Sequence, residues 1–297
     1  MNIPKQFHDF YQQYWKDRWQ TLLPALLQPA PKIVRLNPFI DQATKDKWKG
    51  SLTPFVSPWG LKNAFLWGEH LKQIPRDEHS GLLLFYVSDS VSYLISQVLP
   101  VDKGQQFLDM CASPGGKTLG LIERLSVDQF LLSNEPNYSR RQRLVRNLRQ
   151  YLPPQLREKI QVCGQSGGLF AKTHPQFFSG ILIDAPCSGE RHLLRSRFHL
   201  SRWTPRYSQN LQFKQYELLS GAWASLKPGG YLLYSVCSVS PGEGDGVVQK
   251  LVAKKGQLER CQLNLAFSEP TEWGYYFLPD RAPGGPFYVS LLRKTER

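Results

Sequence analysis

From about residue 81 the chain falls into short apolar runs, each followed by a segment with helical spacing, and this alternation leaves few folds open. The runs at 106–110, 130–133, 160–163, 180–184 and 231–234 are too short for buried helices and predict strands covered on both faces. Residues 137–151 predict a helix with Leu144, Leu148 and Tyr151 on one face and Arg143, Arg146 and Arg149 on another. Residues 205–226 predict a second helix, closed by Lys227-Pro228-Gly229-Gly230 as a stop before the next strand. Residues 273–293 read as two late strands joined by Pro279 to Pro286. Strands alternating with crossover helices give an α/β fold with a doubly wound sheet, whose ligands bind at the carboxyl ends of the strands.

Upstream the texture differs. Phe7, Phe10, Tyr11, Tyr14, Trp15, Trp19, Leu22 and Leu23 recur at helical spacing over 7–28, which predicts an amphipathic helix ended by Pro24 or Pro29. Residues 29–80, rich in Pro, Trp, Lys and Gly, predict loops and short strands. The expected division is therefore an N-terminal, mainly helical extension over 1–80, available for RNA contact, and a ligand-binding domain over 81–297.

Lys and Arg total 37 against 24 for Asp and Glu, and the formal charge of +13 suits a phosphate-rich or anionic-membrane partner. No run approaches the ~20 apolar residues of a membrane span, and the amino terminus lacks a signal-type apolar core, so the expectation is a soluble, cytoplasmic protein with no membrane role. Cys111, Cys163, Cys187, Cys237 and Cys261 are widely spaced, with no C-x-x-C pair and no His doublet at metal spacing. No disulfide framework and no metal site is expected. Each cysteine is, by residue statistics, a small buried apolar group.

Two stretches depart from that plain reading. Cys111-Ala112-Ser113-Pro114-Gly115-Gly116-Lys117-Thr118 follows the first strand and opens a helix, where glycines admit a ligand to the backbone and the helix amino terminus offers N–H donors. Gly116-Lys117-Thr118 matches the end of a P-loop, with Asp184 as a magnesium-holding acid, but the first glycine is replaced by Cys111 and Pro114 removes a phosphate donor. An NTPase is the weakest reading. Glu135, 20 residues after Gly115, stands where a carboxylate can accept from both ribose hydroxyls, although it also reads as a solvated acid in a turn. With Asp109 beside it and no pyrophosphate grip, S-adenosylmethionine suits the loop better than a dinucleotide.

The second stretch is Asp184-Ala185-Pro186-Cys187, just after one strand, together with Cys237 just after another. If those strands are neighbours, two thiols face one cleft. A thiolate adding to C6 of a pyrimidine makes C5 nucleophilic toward a sulfonium methyl, and an acid near N3, a part Asp184 could take, eases the addition. A free cysteine is only a few per cent thiolate at neutral pH, so a cationic setting helps.

The blocks 108–117, Asp184-Ala185-Pro186-Cys187-Ser188-Gly189, and Lys227-Pro228-Gly229-Gly230 running into Tyr234-Ser235-Val236-Cys237-Ser238 resemble, in this order, the Sun-type (RsmB/Nop-like) RNA cytosine-5 methyltransferases. Glu190-Arg191-His192 and Gly285-Pro286-Phe287-Tyr288-Val289 look most like the mitochondrial branch of that family, which acts on rRNA or tRNA. The resemblance implies a seven-stranded class I methyltransferase (Rossmann-like) sheet ending in an antiparallel strand. It implies Cys237 as the nucleophile, Cys187 as the residue that assists release of methylated RNA, Asp184 as the cytosine-edge contact, Lys117 as a site cation and Glu135 as the ribose ligand. Cofactor contacts are expected from 111–117, Glu135, Ser166 and Asp184. The family's usual acid after the third strand is missing here, where Val162-Cys163-Gly164-Gln165-Ser166 stands instead, and Ser113 and Val236 replace an alanine and a threonine.

Between 191 and 216, Arg191, His192, Arg195, Arg197, Arg202 and Arg206 occur without an acid, with Trp203 and Tyr207 interleaved. Arginines fork onto phosphates and aromatics stack on unpaired bases, so this segment is expected to border the cleft and hold RNA around a flipped cytosine. A solvated basic loop with Trp203 in the core is the competing reading. The expected partner is rRNA rather than tRNA, since 1–80 shows no dedicated RNA-binding module, and the protein is expected to act as a monomer, with a guiding protein partner left open. A catalytically idle RNA-binding or assembly protein on the same scaffold is the rival.

Overall fold

Phe178–Asp184 is buried at every position but its last, the burial demanded of a strand covered on both faces. The computed structural model describes residues 3–68 and 73–296. Its strands are β1 Lys32–Leu36, β2 Ala64–Leu66, β3 Phe85–Asp89, β4 Gln106–Asp109, β5 Phe130–Asn134, β6 Ile160–Cys163, β7 Phe178–Asp184, β8 Leu226–Val236, β9 Leu258–Arg260, β10 Glu269–Pro270, β11 Tyr275–Phe277 and β12 Phe287–Lys294.

The main sheet runs β10-β11-β12-β8-β7-β4-β5-β6, with β9 added on β12. Strands β4 to β8 are parallel, and β12 is antiparallel to β8. The expected seven strands are β6-β5-β4-β7-β8-β12-β11, and β9 and β10 are short additions. The strand order reverses between β4 and β7, so the crevice for a ligand opens at their carboxyl ends. Leu108, Leu132, Ile181, Ile183, Leu232 and Tyr234 fill one side of the sheet, while Phe107, Leu131, Leu182, Leu233 and Val289 fill the other.

Three expectations are corrected. Lys227-Pro228-Gly229-Gly230 lies inside β8, which begins at Leu226: Gly229 takes φ +74° and the register against β7 shifts between Phe178 and Gly180, so the glycines make a bulge rather than a helix stop. The single helix over 7–28 is two, Lys5–Trp15 and Trp19–Leu27, parted by a 3-10 turn that begins at Lys16, φ +48°. Pro24 sits within the second, held in place because Leu22 and Leu26 on either side are fully buried. The third concerns 29–80, where the expected short strands occur as β1 and β2, paired with β3 in an antiparallel sheet, but a further helix, Gln42–Ser51, stands between them, capped by Asp41 Oδ1 accepting from Thr44 N at 2.9 Å. That helix buries no residue fully, which explains its weak imprint on the sequence. The small sheet takes β3 from beyond residue 80. Among the described residues, no helix is long and apolar enough to cross a membrane.

Candidate active site

At the end of β4 the chain turns through Cys111 to Gly115, where φ +111° calls for glycine, and enters the helix Gly116–Ile122. A Cβ on Gly116 would stand 2.7 Å from Tyr86 Oη, so the helix start and β3 are in close contact. Asp109 is buried, and its Oδ2 accepts from Thr118 Oγ1 at 2.7 Å while Oδ1 has no partner. Burial pushes its carboxyl up to about 7.

Lys117 reaches across to β7. Its Nζ lies 2.7 Å from Asp184 Oδ2 and donates to Ser92 Oγ at 2.9 Å, and Asp184 Oδ1 accepts from Ser235 Oγ at 2.9 Å. Burial alone would lower the lysine's proton affinity, but Asp184 outweighs it and the net direction is upward, so the ammonium keeps its charge. The Phe287 ring centroid is 5.3 Å from the same Nζ.

Beyond this pair, β7 and β8 end side by side, Asp184 opposite Ser235. The loops that follow bring Cys187 Sγ and Cys237 Sγ to 3.1 Å, with Cys187 half-buried and Cys237 exposed. Its hydrogen bond to Cys237, then burial, push the Cys187 thiol well up. A cleft of about 300 Å³ joins Asp109, Lys117, Asp184 and Cys237 to Arg35, Tyr86 and their neighbours in the small sheet. This is the lower end of the size range of small-molecule sites. A larger hollow of about 450 Å³ lies between Val145 and Val162 on the outer edge of the sheet, lined by apolar side chains with Arg149, Arg157 and Glu158.

The other expected residues spread further. Ala112, Ser113, Pro114 and Gly116 line the cleft with Cys111, whereas Gly115, Glu135 and Ser166 do not. Glu135 is buried, its Oε1 accepting from Asn137 N at 3.0 Å and its Oε2 paired with Arg140 Nε at 3.2 Å. Ser166 is exposed on the loop after β6, which Asn134 ties to β5 by accepting from Gln165 N and donating to Gln165 O.

Among the basic residues, His192, Arg195, Arg197, Arg202 and Arg206 are exposed, and Arg202 lies over Phe198 at 4.1 Å. Arg191 is half-buried and donates to Ala25 O at 3.2 Å, toward the second helix. Trp203 is 2% exposed and packs on Phe7, Phe10 and Tyr11, so it belongs to the core and cannot stack on a base. Tyr207 stays exposed.

A family model described as 16S rRNA methyltransferase RsmB/F matches residues 96–293. The chain belongs to the RsmB/F methyltransferase family. It is 31% identical over 233 residues to a mitochondrial tRNA (cytosine(34)-C(5))-methyltransferase from Danio rerio, covering 74% of this chain and 63% of that one. It is 37% identical over 183 residues to the 5-cytosine rRNA methyltransferase NSUN4 of Xenopus tropicalis, covering 60% and 44%. Against the ribosomal RNA small subunit methyltransferase F of an Escherichia coli strain the figures are 28% over 299 residues, 92% and 59%. The chain thus spans about half to two thirds of these relatives. The fold matches NSun6 from Pyrococcus horikoshii with SFG at a TM-score of 0.77 and 18% identity, covering 99% of each chain. A methyltransferase homologue from the same organism superposes at 0.78 and 24% identity, covering 99% and 96%.

In this RsmB/F chain, sequence reasoning missed the wall supplied by Arg35, Tyr86, Ser88, Asp89 and Ser92, and the helix cap that shapes it: Asp89 Oδ1 accepts from Val91 N at 2.8 Å. The Asp89-Ser90 step was a readable cap signal. It also missed Glu190 and Glu243, both fully buried behind the two thiols.

Proposed function

We propose that this RsmB/F chain is an S-adenosylmethionine-dependent RNA cytosine-5 methyltransferase acting through a covalent Cys237 adduct. The observation that carries this is Cys237 lining the same cleft as the Lys117–Asp184 pair, with Cys187 Sγ 3.1 Å from its sulfur. The cleft suits an adenosine-bearing ligand: Asp109 Oδ1 and Ser88 Oγ are buried and unpartnered, and the helix start at Gly116 presents free N–H donors. Residues 111–117 with Asp184 would hold the cofactor along the cleft, and Glu135 and Ser166 would meet its ribose and base sides after side-chain movement away from Arg140. When bound, the cofactor supplies an electrophilic methyl group.

The chain's own groups supply the rest. Cys237 Sγ bonds to C6 of the cytosine, raising electron density at C5. Asp184 faces the base edge, where its carboxylate accepts from the exocyclic amine and from N3 as that nitrogen takes up a proton from solvent during the addition, and Lys117 fixes that carboxylate by a charge-assisted bond. After transfer, the C5 proton passes to solvent, its electron pair re-forms the C5–C6 double bond, the C6–S bond breaks with its pair returning to Cys237, and Cys187 assists that release. His192, Arg195, Arg197, Arg202 and Arg206 form the exposed cationic border for the RNA backbone, with Arg191 anchoring their loop.

We assign rRNA as substrate ahead of tRNA, with 1–80 as an RNA-contacting extension of 81–297 and a monomer as the working state. Free cysteines throughout suit the reducing cytoplasm. The decisive experiment is bisulfite sequencing of cellular RNA with and without the protein, repeated with Cys237→Ala: a cytosine that loses its methyl group in both cases identifies substrate and nucleophile together. The Glu135–Arg140 pair favours a second reading, an RNA-binding protein without catalysis. RNA binding without S-adenosylmethionine saturation in calorimetry would establish it.

A further inference from the structure

Directly behind the two sulfurs lies a pair of carboxylates that the chemistry above does not use. Glu190 and Glu243 are both 0% exposed. Glu190 Oε1 accepts from Ser188 Oγ, from Ser238 Oγ at 2.9 Å and from Tyr11 Oη at 2.6 Å, and its Oε2 accepts from Val239 N at 3.0 Å. Glu243 Oε2 accepts from Ser188 N at 2.9 Å and Gln215 Nε2 at 3.0 Å, and its Oε1 from Ser208 Oγ at 2.6 Å. Ser188 and Ser238 are the residues that follow Cys187 and Cys237. Gln215 also donates to Pro186 O at 2.9 Å, so Cys187 is gripped from both sides.

Every one of these partners is neutral, and among the described residues neither carboxylate forms an ion pair with a cation. The titratable groups packed around them are likewise not cationic: Tyr11 from the first helix, Tyr207 from the helix Pro205–Ser225, Tyr234 donating to Glu243 O at 2.7 Å, and Tyr276 donating to Ser240 O at 3.2 Å. Arg191, next to Glu190 in the chain, turns away to Ala25. Burial, and then the charge of Glu190, push Glu243 up to about 7. With no cation paired to either carboxylate among the described residues, their negative charge adds to the forces that hold a proton on Cys187.

We propose that Glu190 and Glu243 are positioning residues that decide which sulfur attacks. By fixing the residues after both cysteines and holding negative charge behind Cys187, they keep Cys187 protonated and donating toward Cys237, so that when the pair loses a proton to solvent it is Cys237 that gives it up and becomes the attacking sulfur. When the C6–S bond breaks, the electron pair returns to a sulfur that already faces this donor. The inference rests on the reading of Cys237 as nucleophile, but its test does not depend on methyl transfer.

The test follows alkylation of Cys187 by iodoacetamide, located by peptide mass spectrometry, as a function of pH in a Cys237→Ala background. Adding Glu243→Gln or Glu190→Gln is expected to move the Cys187 profile toward lower pH by about one unit, the effect of deleting one nearby charge. Glu243→Asp, which retains the charge, should return the profile toward that of the background. In the chain with both cysteines, either Gln variant should raise the share of label on Cys187 several-fold and lower kcat with little change in KM. Ser208→Ala serves where a Gln variant does not fold: deleting a donor to Glu243 favours its protonated form and shifts Cys187 the same way. An unmoved Cys187 profile in any folded variant overturns the inference while leaving the adduct chemistry intact. Loss of methylation in Cys187→Ala with survival in Cys237→Ala overturns the reading beneath it.

Discussion

Replacing Asp184 by Asn keeps the shape of the Lys117 contact and deletes its charge. Lys117's side chain is 10% exposed and Asp184's 34%, so the variant leaves a nearly buried ammonium with only Ser92 Oγ and a neutral amide. Breaking a fully buried pair costs about 3–5 kcal/mol. The partial exposure of Asp184 lets solvent screen the charge, which brings the expectation to about 2–3 kcal/mol. With an unfolding entropy of roughly 2.1 cal/mol/K per residue, a chain of 297 residues loses about 3–5 °C in Tm. The pH dependence has a definite sign. In the native chain the folded lysine binds its proton more tightly than the unfolded one, so its contribution is complete below about 10.4 and fades as pH rises through the folded value. In Asp184→Asn burial outweighs the weaker attractions of Cys237 and Asp109, and the penalty is full at neutral pH and disappears as the unfolded lysine also loses its proton near 10.4. Thermal unfolding by circular dichroism from pH 7 to 10.5 checks this. A deficit that is absent at pH 7, or that widens toward pH 10.5, would refute the claim that Asp184 holds Lys117 charged.

Other expectations use different readouts. Cys237→Ala should abolish methylation, whereas Cys187→Ala should let a protein–RNA adduct accumulate on denaturing gels, and an adduct with Cys237→Ala instead would reverse the two roles. Asp109→Asn should flatten the fall in stability between about pH 4 and 7, because a carboxyl raised to about 7 binds protons in the folded state that the unfolded chain has released. Trp203→Ala should cost about 3–5 kcal/mol in denaturant titrations while leaving RNA affinity per folded molecule unchanged. Arg197→Ala, Arg202→Ala and Arg206→Ala should each weaken RNA binding and reduce the slope of log K against log salt by up to about 0.7–0.9, if each meets one phosphate.

The strands and the meeting of the two thiols were legible because β7 and β8 are buried on both faces, and a central strand writes that burial into consecutive positions. Given adjacent strands, Cys187 three residues after one and Cys237 directly after the other had to converge. Trp203 was harder to place, since its partners Phe7, Phe10 and Tyr11 lie nearly 200 positions away and a local window sees only the arginines around it. The bulge at Gly229 carried the same Pro-Gly-Gly letters as a helix end, and the difference is made by pairing with β7. Glu243 sits in the glycine-rich stretch 242–246, and only the backbone N–H of Ser188 with the side chains of Ser208 and Gln215, from two other segments, show that it is enclosed.

Helix Lys5–Trp15 and the turn after it are fastened almost entirely to late parts of the chain: Tyr11 to Glu190, Trp15 Nε1 to Val239 O at 3.0 Å, Arg18 to Glu269 and Asp280. During synthesis this segment therefore gains its partners in order, Glu190 and Trp203 first, Val239 next, and Glu269 and Asp280 last. A nascent chain stalled short of residue 280 would hold this helix through Glu190, Trp203 and Val239 but without the ion pairs of Arg18, so the turn after it is locked only by the last partner to emerge.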